Sequence, residues 1–281
     1  MNMLRRIPPV VVAVVICGAP ALAQPPAAQP ESERVTVAFS DASRPGTLEV
    51  ELVEGSITVR GEDRKDVAID ARREPEKPSL RQRDGTPLGL RRLTQLGGFE
   101  VEEQNNKITI DASNPNRRLN FEIRVPTRTN LKLGTVNSGA IIVEAVQGDL
   151  EIENVNGLIT LNQIAGSVVA TSVNGKVLAT LTQLTAQKSM AFTSLNGAVD
   201  VALPASTKAN LKLRSDNGDV FTDFDIQMRA RGASTIEDTR RNGGGRFRLE
   251  SNSAIYGSIN GGGPEIELRT FNGSVFVRKG P

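Results

Sequence analysis

The sequence predicts an all-β chain wound as a single parallel β-solenoid, and three observations carry that expectation. Glycine recurs at Gly139, Gly148, Gly157, Gly166 and Gly175, always nine residues apart. Behind each glycine the apolar residues keep one phase: Ile141, Val143 and Val146; Leu150, Ile152 and Val155; Ile159, Leu161 and Ile164; Val168, Ala170 and Val173; then Val177 and Ala179, until Thr182 breaks the pattern. Alternate glycines follow asparagine, at Asn156-Gly157 and Asn174-Gly175, with Asn137-Ser138-Gly139 a looser copy. Self-similarity at a fixed period marks a stacked repeat, in which equivalent residues of successive units lie above one another.

Residues two and four past a glycine share one face of a strand, because strand side chains alternate. The next apolar residue comes three later, so the chain must bend between them. Glycine suits such a bend because it tolerates positive φ, and asparagine enters the left-handed region more readily than other residues. Asn-Gly is also the strongest hairpin signal, so an antiparallel sandwich or meander fits the same pattern and stands as the alternative.

Along the chain, Arg5 and Arg6, the apolar Val10–Cys17 and the small residues Ala21-Leu22-Ala23 make residues 1–23 a predicted secretory signal cleaved before Gln24. The apolar run is shorter than the ~20 residues of a membrane span, and the bulky Ile16 argues against a lipid-modified Cys17. Residues 24–33 are rich in proline, alanine and glutamine and read as a disordered leader. The solenoid domain is expected over 34–281. Val35–Phe39 is a first strand, Gly46–Arg60 a first rung and Val67–Ala71 another strand. An irregular excursion at about 72–98 follows, with Pro75, Pro78, Pro87 and a run of basic residues including Arg81, Arg83, Arg91 and Arg92. Strand character resumes over Phe99–Asp111. A longer duplication frames the regular coils: Phe121–Pro126 leads to Asn130-Leu-Lys-Leu133, and Val199–Pro204 leads to Asn210-Leu-Lys-Leu213. Each proline marks a strand end, because it removes a ladder donor. A second excursion at about 224–246 precedes the closing strands. Phenylalanines avoid the span between Phe121 and Phe192, and their place near the ends suggests caps. The structural turns are assigned to the five spaced glycines and to Asn156, Asn174, Asn196, Asn217 and Asn272.

Composition excludes several chemistries. The 34 basic residues include Arg5 and Arg6; without those two they equal the 32 acidic ones, so the processed chain has no global field for nucleic acid. There is no histidine, and the single cysteine is Cys17 in the signal. A histidine-assisted nucleophile and a zinc site of histidine or cysteine are therefore ruled out. No glycine pattern opens a phosphate loop, and no cofactor is expected. Asp149, Glu151 and Glu153 alternate on one outward strand face as weak candidates for calcium, although their stacked neighbours would be Ser167, Val169 and Thr171. Arg81, Arg83, Arg91 and Arg92 are weak candidates for an anionic contact, weighed against a plain solvated loop.

Four features, the Gly55-Ser-Ile-Thr-Val-Arg-Gly61 unit, the Arg124-Val-Pro126 to Leu131-Lys-Leu133 segment, the Asn-Gly rungs and the closing Leu268-Arg-Thr-Phe-Asn272-Gly273 unit, resemble those of the bacterial putative adhesin family. The resemblance spans roughly Val35 to Val277 and implies a secreted, β-helix-like domain of largely unknown function, with no catalytic motif. The resulting expectation is a non-catalytic, periplasmic or extracellular scaffold that binds envelope glycan or protein through a long strand face. A polysaccharide-active enzyme and a self-assembling structural protein of the envelope are the alternatives.

Overall fold

Alternating aliphatic residues on short strands give each strand one face that water rejects, and two such faces pressed together bury both. The chain does this by turning a corner between paired strands, in a computed structural model that describes residues 32–73, 98–112, 118–137, 139–185, 188–228, 235–238, 247–250 and 254–280. The predicted signal, most of the leader and the four candidate arginines Arg81, Arg83, Arg91 and Arg92 lie outside the described residues. Among the described residues there is no helix, and so none long and apolar enough to cross a membrane.

In chain order the strands are β1 (Ser32–Ala38), β2 (Gly46–Glu54), β3 (Ile57–Glu62), β4 (Asp66–Arg73), β5 (Glu100–Gln104), β6 (Lys107–Ala112), β7 (Leu119–Pro126), β8 (Thr129–Asn137), β9 (Ile141–Glu144), β10 (Gln147–Asn154) and β11 (Ile159–Asn174). They continue as β12 (Val177–Leu184), β13 (Met190–Asn196), β14 (Val199–Pro204), β15 (Ala209–Asn217), β16 (Val220–Thr222), β17 (Gln227–Met228), β18 (Thr235–Asp238), β19 (Phe247–Glu250), β20 (Ile255–Ile259), β21 (Glu265–Asn272) and β22 (Val275–Gly280). β1 begins at Ser32, inside the expected leader, and Arg72 and Arg73 belong to β4 rather than to an excursion. Within the second expected excursion β17 pairs with β20 and β18 with β19.

Two walls face each other. Along the first, the parallel order is β6, β2, β8, β10, the second half of β11, β13, β21 and β15. Along the second it is β7, β3, β9, the first half of β11, β12, β14, β22 and β16. Leu150 pairs with Val168 on the first wall, and Ile141, Ile159 and Val177 form one column on the second, as the eighteen-residue phase requires. The inward residues form one continuous buried core, mostly Val, Ile and Leu with a few Ala and Phe. Burying each such side chain contributes about 1.5–3 kcal/mol before chain entropy is counted.

Among the described residues of the main sheet, the antiparallel pairing appears only at the ends; β18 and β19 form a separate antiparallel pair. β5 closes one wall antiparallel to β6, β4 and β1 close the other beyond β7, and β20 and β17 close the first wall beyond β15. These strands close the ends, with Phe99 against Phe121 at one end and Phe221 on Phe276 at the other, while Phe192 is fully buried in an interior rung.

The rungs are not stacked in chain order. The rung of β2 and β3 lies between those of β6/β7 and β8/β9, and the rung of β21 and β22 lies between those of β13/β14 and β15/β16. The chain therefore steps over one rung twice, from β7 to β8 and from β14 to β15. Those two steps are the duplicated segments: Pro126 and Pro204 end the strands before them, and Asn130-Leu-Lys-Leu133 and Asn210-Leu-Lys-Leu213 follow. Each step leaves a slot, filled by the first rung in one case and by the last in the other.

Candidate functional site

The corner joining the first wall to the second is set by a short motif, a small polar residue, any residue, asparagine, then glycine. It occurs as Asn154–Gly157, Ser172–Gly175, Ser194–Gly197, Ser215–Gly218 and Thr270–Gly273, with Thr135–Gly139 one residue longer. The asparagines assigned as turns form a ladder of amides. Asn174 Nδ2 donates to Asn156 Oδ1 (2.8 Å), Asn196 to Asn174 (2.8 Å), Asn272 to Asn196 (2.7 Å) and Asn217 to Asn272 (3.0 Å). The first residue of each motif turns inward and donates to the glycine carbonyl of the neighbouring rung: Asn154 to Gly139 (2.9 Å), Ser194 to Gly175 (2.8 Å), Thr270 to Gly197 (2.7 Å) and Ser215 to Gly273 (2.7 Å). The apolar phase drew Val155 and Val173 into the core. In the structure Asn154 and Ser172 take the inward places and the two valines lie at the outer corner. The signal was present in the recurring Asn, Ser or Thr two residues before each turn asparagine.

The glycines are held by close approach more than by positive φ. A Cβ on Gly139 would lie 1.6 Å from the Gly55 carbonyl oxygen, on Gly157 1.9 Å from that of Gly139, and on Gly175 1.9 Å from that of Gly157. At the opposite corner Ala145 (φ 56°) and Gln163 (φ 55°) take the left-handed conformation, between the second and third apolar residues of their units. The bend is where the spacing puts it, but a glycine does not make it.

The outward face of the first wall is a mosaic of charges. Asp149, Glu151 and Glu153 all point to solvent there and are stacked on Ser167, Val169 and Thr171, so no second row of carboxylates faces them. Asp149 accepts from Lys188 Nζ at 2.6 Å. Glu49 sits between Lys107 and Lys132, and the hydrogen bond from Lys107 is the largest cause of a carboxyl held below its usual range. Among the described residues no group of three potential ligands is spaced to hold a metal ion.

The second wall differs. Its outward side chains form two adjacent rows that run along the stack. One row is Arg124, Arg60, Glu144 and Asn162, each on the next rung. The other is Glu122, Thr58, Ile142, Thr160 and Leu178. A depression of about 530 Å³ lies over Arg60, Glu144, Asn162, Gln163 and Thr180. A second of about 230 Å³ lies over Thr58, Glu122, Arg124 and Ile142, and it shares Arg60 and Glu144 with the first. Together they make one shallow trough spanning five rungs, about 19 Å at ~4.8 Å per rung. Its charges are matched in pairs: Arg60 with Glu144 at 2.9 Å, Arg124 with Glu62 at 3.7 Å and Glu122 with Arg72 at 3.1 Å. Beyond Leu178 the row continues through Asp200 to Phe276, which stacks on Phe221 with ring centroids 5.1 Å apart, while Arg278 lies over Phe276 and is held by both oxygens of Asp200.

Comparison with known proteins finds a family match over part of the chain. Residues 127–260 match the model of the family described as Toastrack DUF4097. The chain is similar to the solved structure of a putative cell adhesion protein from Clostridium sporogenes, at 12% identity and a TM-score of 0.45, over 90% of this chain and 100% of that one. It is also similar to a putative adhesin from Bacteroides fragilis, at 8% identity and a TM-score of 0.29, over 88% of this chain and 96% of that one. No curated protein matches it. The matched segment, 127–260, runs from the step before β8 to the residue after β20, a little under half of the chain.

Proposed function

We propose that the protein is an exported, non-catalytic, adhesin-like binding protein whose contact surface is the outward face of the second wall. The trough carries this reading. It is long, open and lined by hydrogen-bonding side chains fixed to a rigid ladder, which favours an extended ligand over a small substrate held in a closed pocket. Its carboxylates Glu144 and Glu122 are each engaged by an arginine, which suits recognition better than acid–base work. Export rests on the predicted signal over residues 1–23 and on the sequence resemblance to the bacterial putative adhesin family.

The test is retention of the purified protein on envelope fractions, beside a variant carrying Ile142→Lys and Thr160→Lys. The two lysines stand on adjacent rungs of the second wall, one at Ile142 in the trough and one at Thr160 beside it, and both face outward and leave the core untouched. Retention of the parent with loss in the variant, at an unchanged melting temperature, is the expected result. Equal retention of both places the contact elsewhere. Turnover of envelope polysaccharide would favour the enzyme reading, and growth of particle size with concentration the self-assembling one.

A further inference from the structure

We propose that the ligand of this trough is an uncharged, extended polysaccharide, lying along the stack with its sugar rings in step with the rungs. The inference rests on the second wall being the binding face, and it names what that face holds.

Four features lead to it. First, the spacing is periodic. Arg124, Arg60, Glu144 and Asn162 each sit on the next rung, about 4.8 Å on, close to the length of one pyranose unit in an extended chain. A polymer of such units meets a planar polar side chain at every step. Second, the two rows divide the work as a sugar ring needs. Guanidinium, carboxylate and amide groups in one row serve hydroxyls as donors and acceptors. Ile142, Leu178 and the methyl groups of Thr58 and Thr160 in the other offer an apolar strip for the C–H face of a ring. Third, charge is cancelled inside the trough by the pairs Arg60–Glu144, Arg124–Glu62 and Glu122–Arg72. An anionic polymer would find no excess of cations, and a cationic one no excess of carboxylates. Fourth, an extended peptide would be expected to add to a sheet edge, where backbone groups are free. In the middle of this wall the backbone groups are spent on ladders to both neighbouring rungs, so only side chains face the ligand. That suits a polyhydroxylated chain better than a peptide.

The test is calorimetric titration of the full processed chain with soluble cello- and chito-oligosaccharides from monosaccharide to hexasaccharide, with oligogalacturonate as the anionic probe. Carbohydrate freed from the envelope by exhaustive protease digestion is then used as a competitor of envelope retention. The proposal expects neutral carbohydrate to compete and neutral oligomers that bind to do so more tightly as they lengthen. Each ring added within the trough should improve affinity about fivefold, the equivalent of about one net hydrogen bond. Binding should change little with salt. Asn162→Ala and Thr180→Val should each weaken it about fivefold at an unchanged melting temperature, whereas Val169→Ser on the other wall should not. Preferential binding of oligogalacturonate with steep salt dependence overturns the proposal, as does a monosaccharide binding as tightly as a hexasaccharide. If the two lysines abolish retention but protease-treated carbohydrate fails to compete, the ligand is a protein: this inference falls and the binding face stands. If the lysines leave retention intact, both fall.

Discussion

Replacing Gly157 with alanine tests the corner that organises the whole stack. An added Cβ would lie 1.9 Å from the carbonyl oxygen and 2.9 Å from the carbonyl carbon of Gly139, both backbone atoms of the neighbouring rung, whereas ordinary contact begins near 3.4 Å. The rungs would have to part by about 1.5 Å at this point. Such a displacement takes the Asn154 Nδ2 to Gly139 bond (2.9 Å) and the Ile141 N–H to Leu158 bond (2.9 Å) beyond hydrogen-bond range. Overpacking of this kind costs about 1–3 kcal/mol, and each buried polar group left without a partner adds about 1–3 kcal/mol. The expected loss is therefore about 3–9 kcal/mol, a large share of the ~5–15 kcal/mol that holds a typical domain together. Gly134 is the control. It stands in β8 on the first wall, and a Cβ there meets nothing within 4 Å. Gly134→Ala should be neutral or raise stability by up to about 1 kcal/mol, since alanine constrains the unfolded chain more than glycine does. Urea denaturation of both variants reads the contrast. If Gly157→Ala unfolds within about 1 kcal/mol of the parent, the glycine column is not held by close approach and the account of the corner is wrong.

Other outcomes follow from the same structure. Asn154 Oδ1 is buried with no hydrogen-bond partner among the described residues, so Asn154→Ser, which keeps a donor and removes the orphan, should raise stability by about 1 kcal/mol in urea titration. Ile159→Cys with Val177→Cys joins neighbouring rungs of a parallel ladder, at a strand spacing of about 4.8 Å that suits a disulfide; efficient oxidation with the fold intact is expected, and a free thiol count unchanged under oxidant would contradict the register. Asp70 is buried, and the hydrogen bond from Arg34 holds its carboxyl below the ordinary 3.8. A depressed carboxyl contributes stability above its unfolded value and loses it as pH falls through the folded one. Asp70→Asn should therefore lower the urea midpoint at neutral pH, and the gap from the parent should close as pH drops below 3.8.

Much of the fold was legible because a stacked repeat writes its geometry into local spacing. Ile141, Ile159 and Val177 stack because eighteen residues make one coil there, and that number can be counted. Val155 and Val173 were misplaced for a physical reason. A buried hydroxyl or amide at Asn154 or Ser172 satisfies a glycine carbonyl across the corner, and apolar periodicity takes no account of that bond. The order of the rungs was hidden for another reason. The duplicated Pro126 and Pro204 segments announce two special steps, but the partner that fills each slot comes from the far end of the chain, and sequence distance carries no trace of it. The trough was only partly visible. Ile142 and Leu178 could be placed facing outward by parity, but the row Arg124, Arg60, Glu144 and Asn162 draws on β7, β3, β9 and β11, and its continuity depends on the first rung being slotted between later ones. The carboxylates Asp149, Glu151 and Glu153 stood out because they share one strand. The trough residues did not, because each comes from a different strand.

The claim that the second wall is the binding face is tested most directly by blocking one face at a time. The chain has a single cysteine, Cys17 in the predicted signal, so a new cysteine in the processed protein can be labelled alone. Thr160→Cys places it on the outward face of the second wall, beside Ile142 of the trough, and Thr171→Cys places it on the outward face of the first wall. Each variant is coupled to a bulky polyethylene glycol and measured for retention on envelope fractions. The account predicts that the polymer at position 160 abolishes retention and the same polymer at position 171 leaves it intact. Retention that survives the block at 160 and is lost with the block at 171 would contradict it.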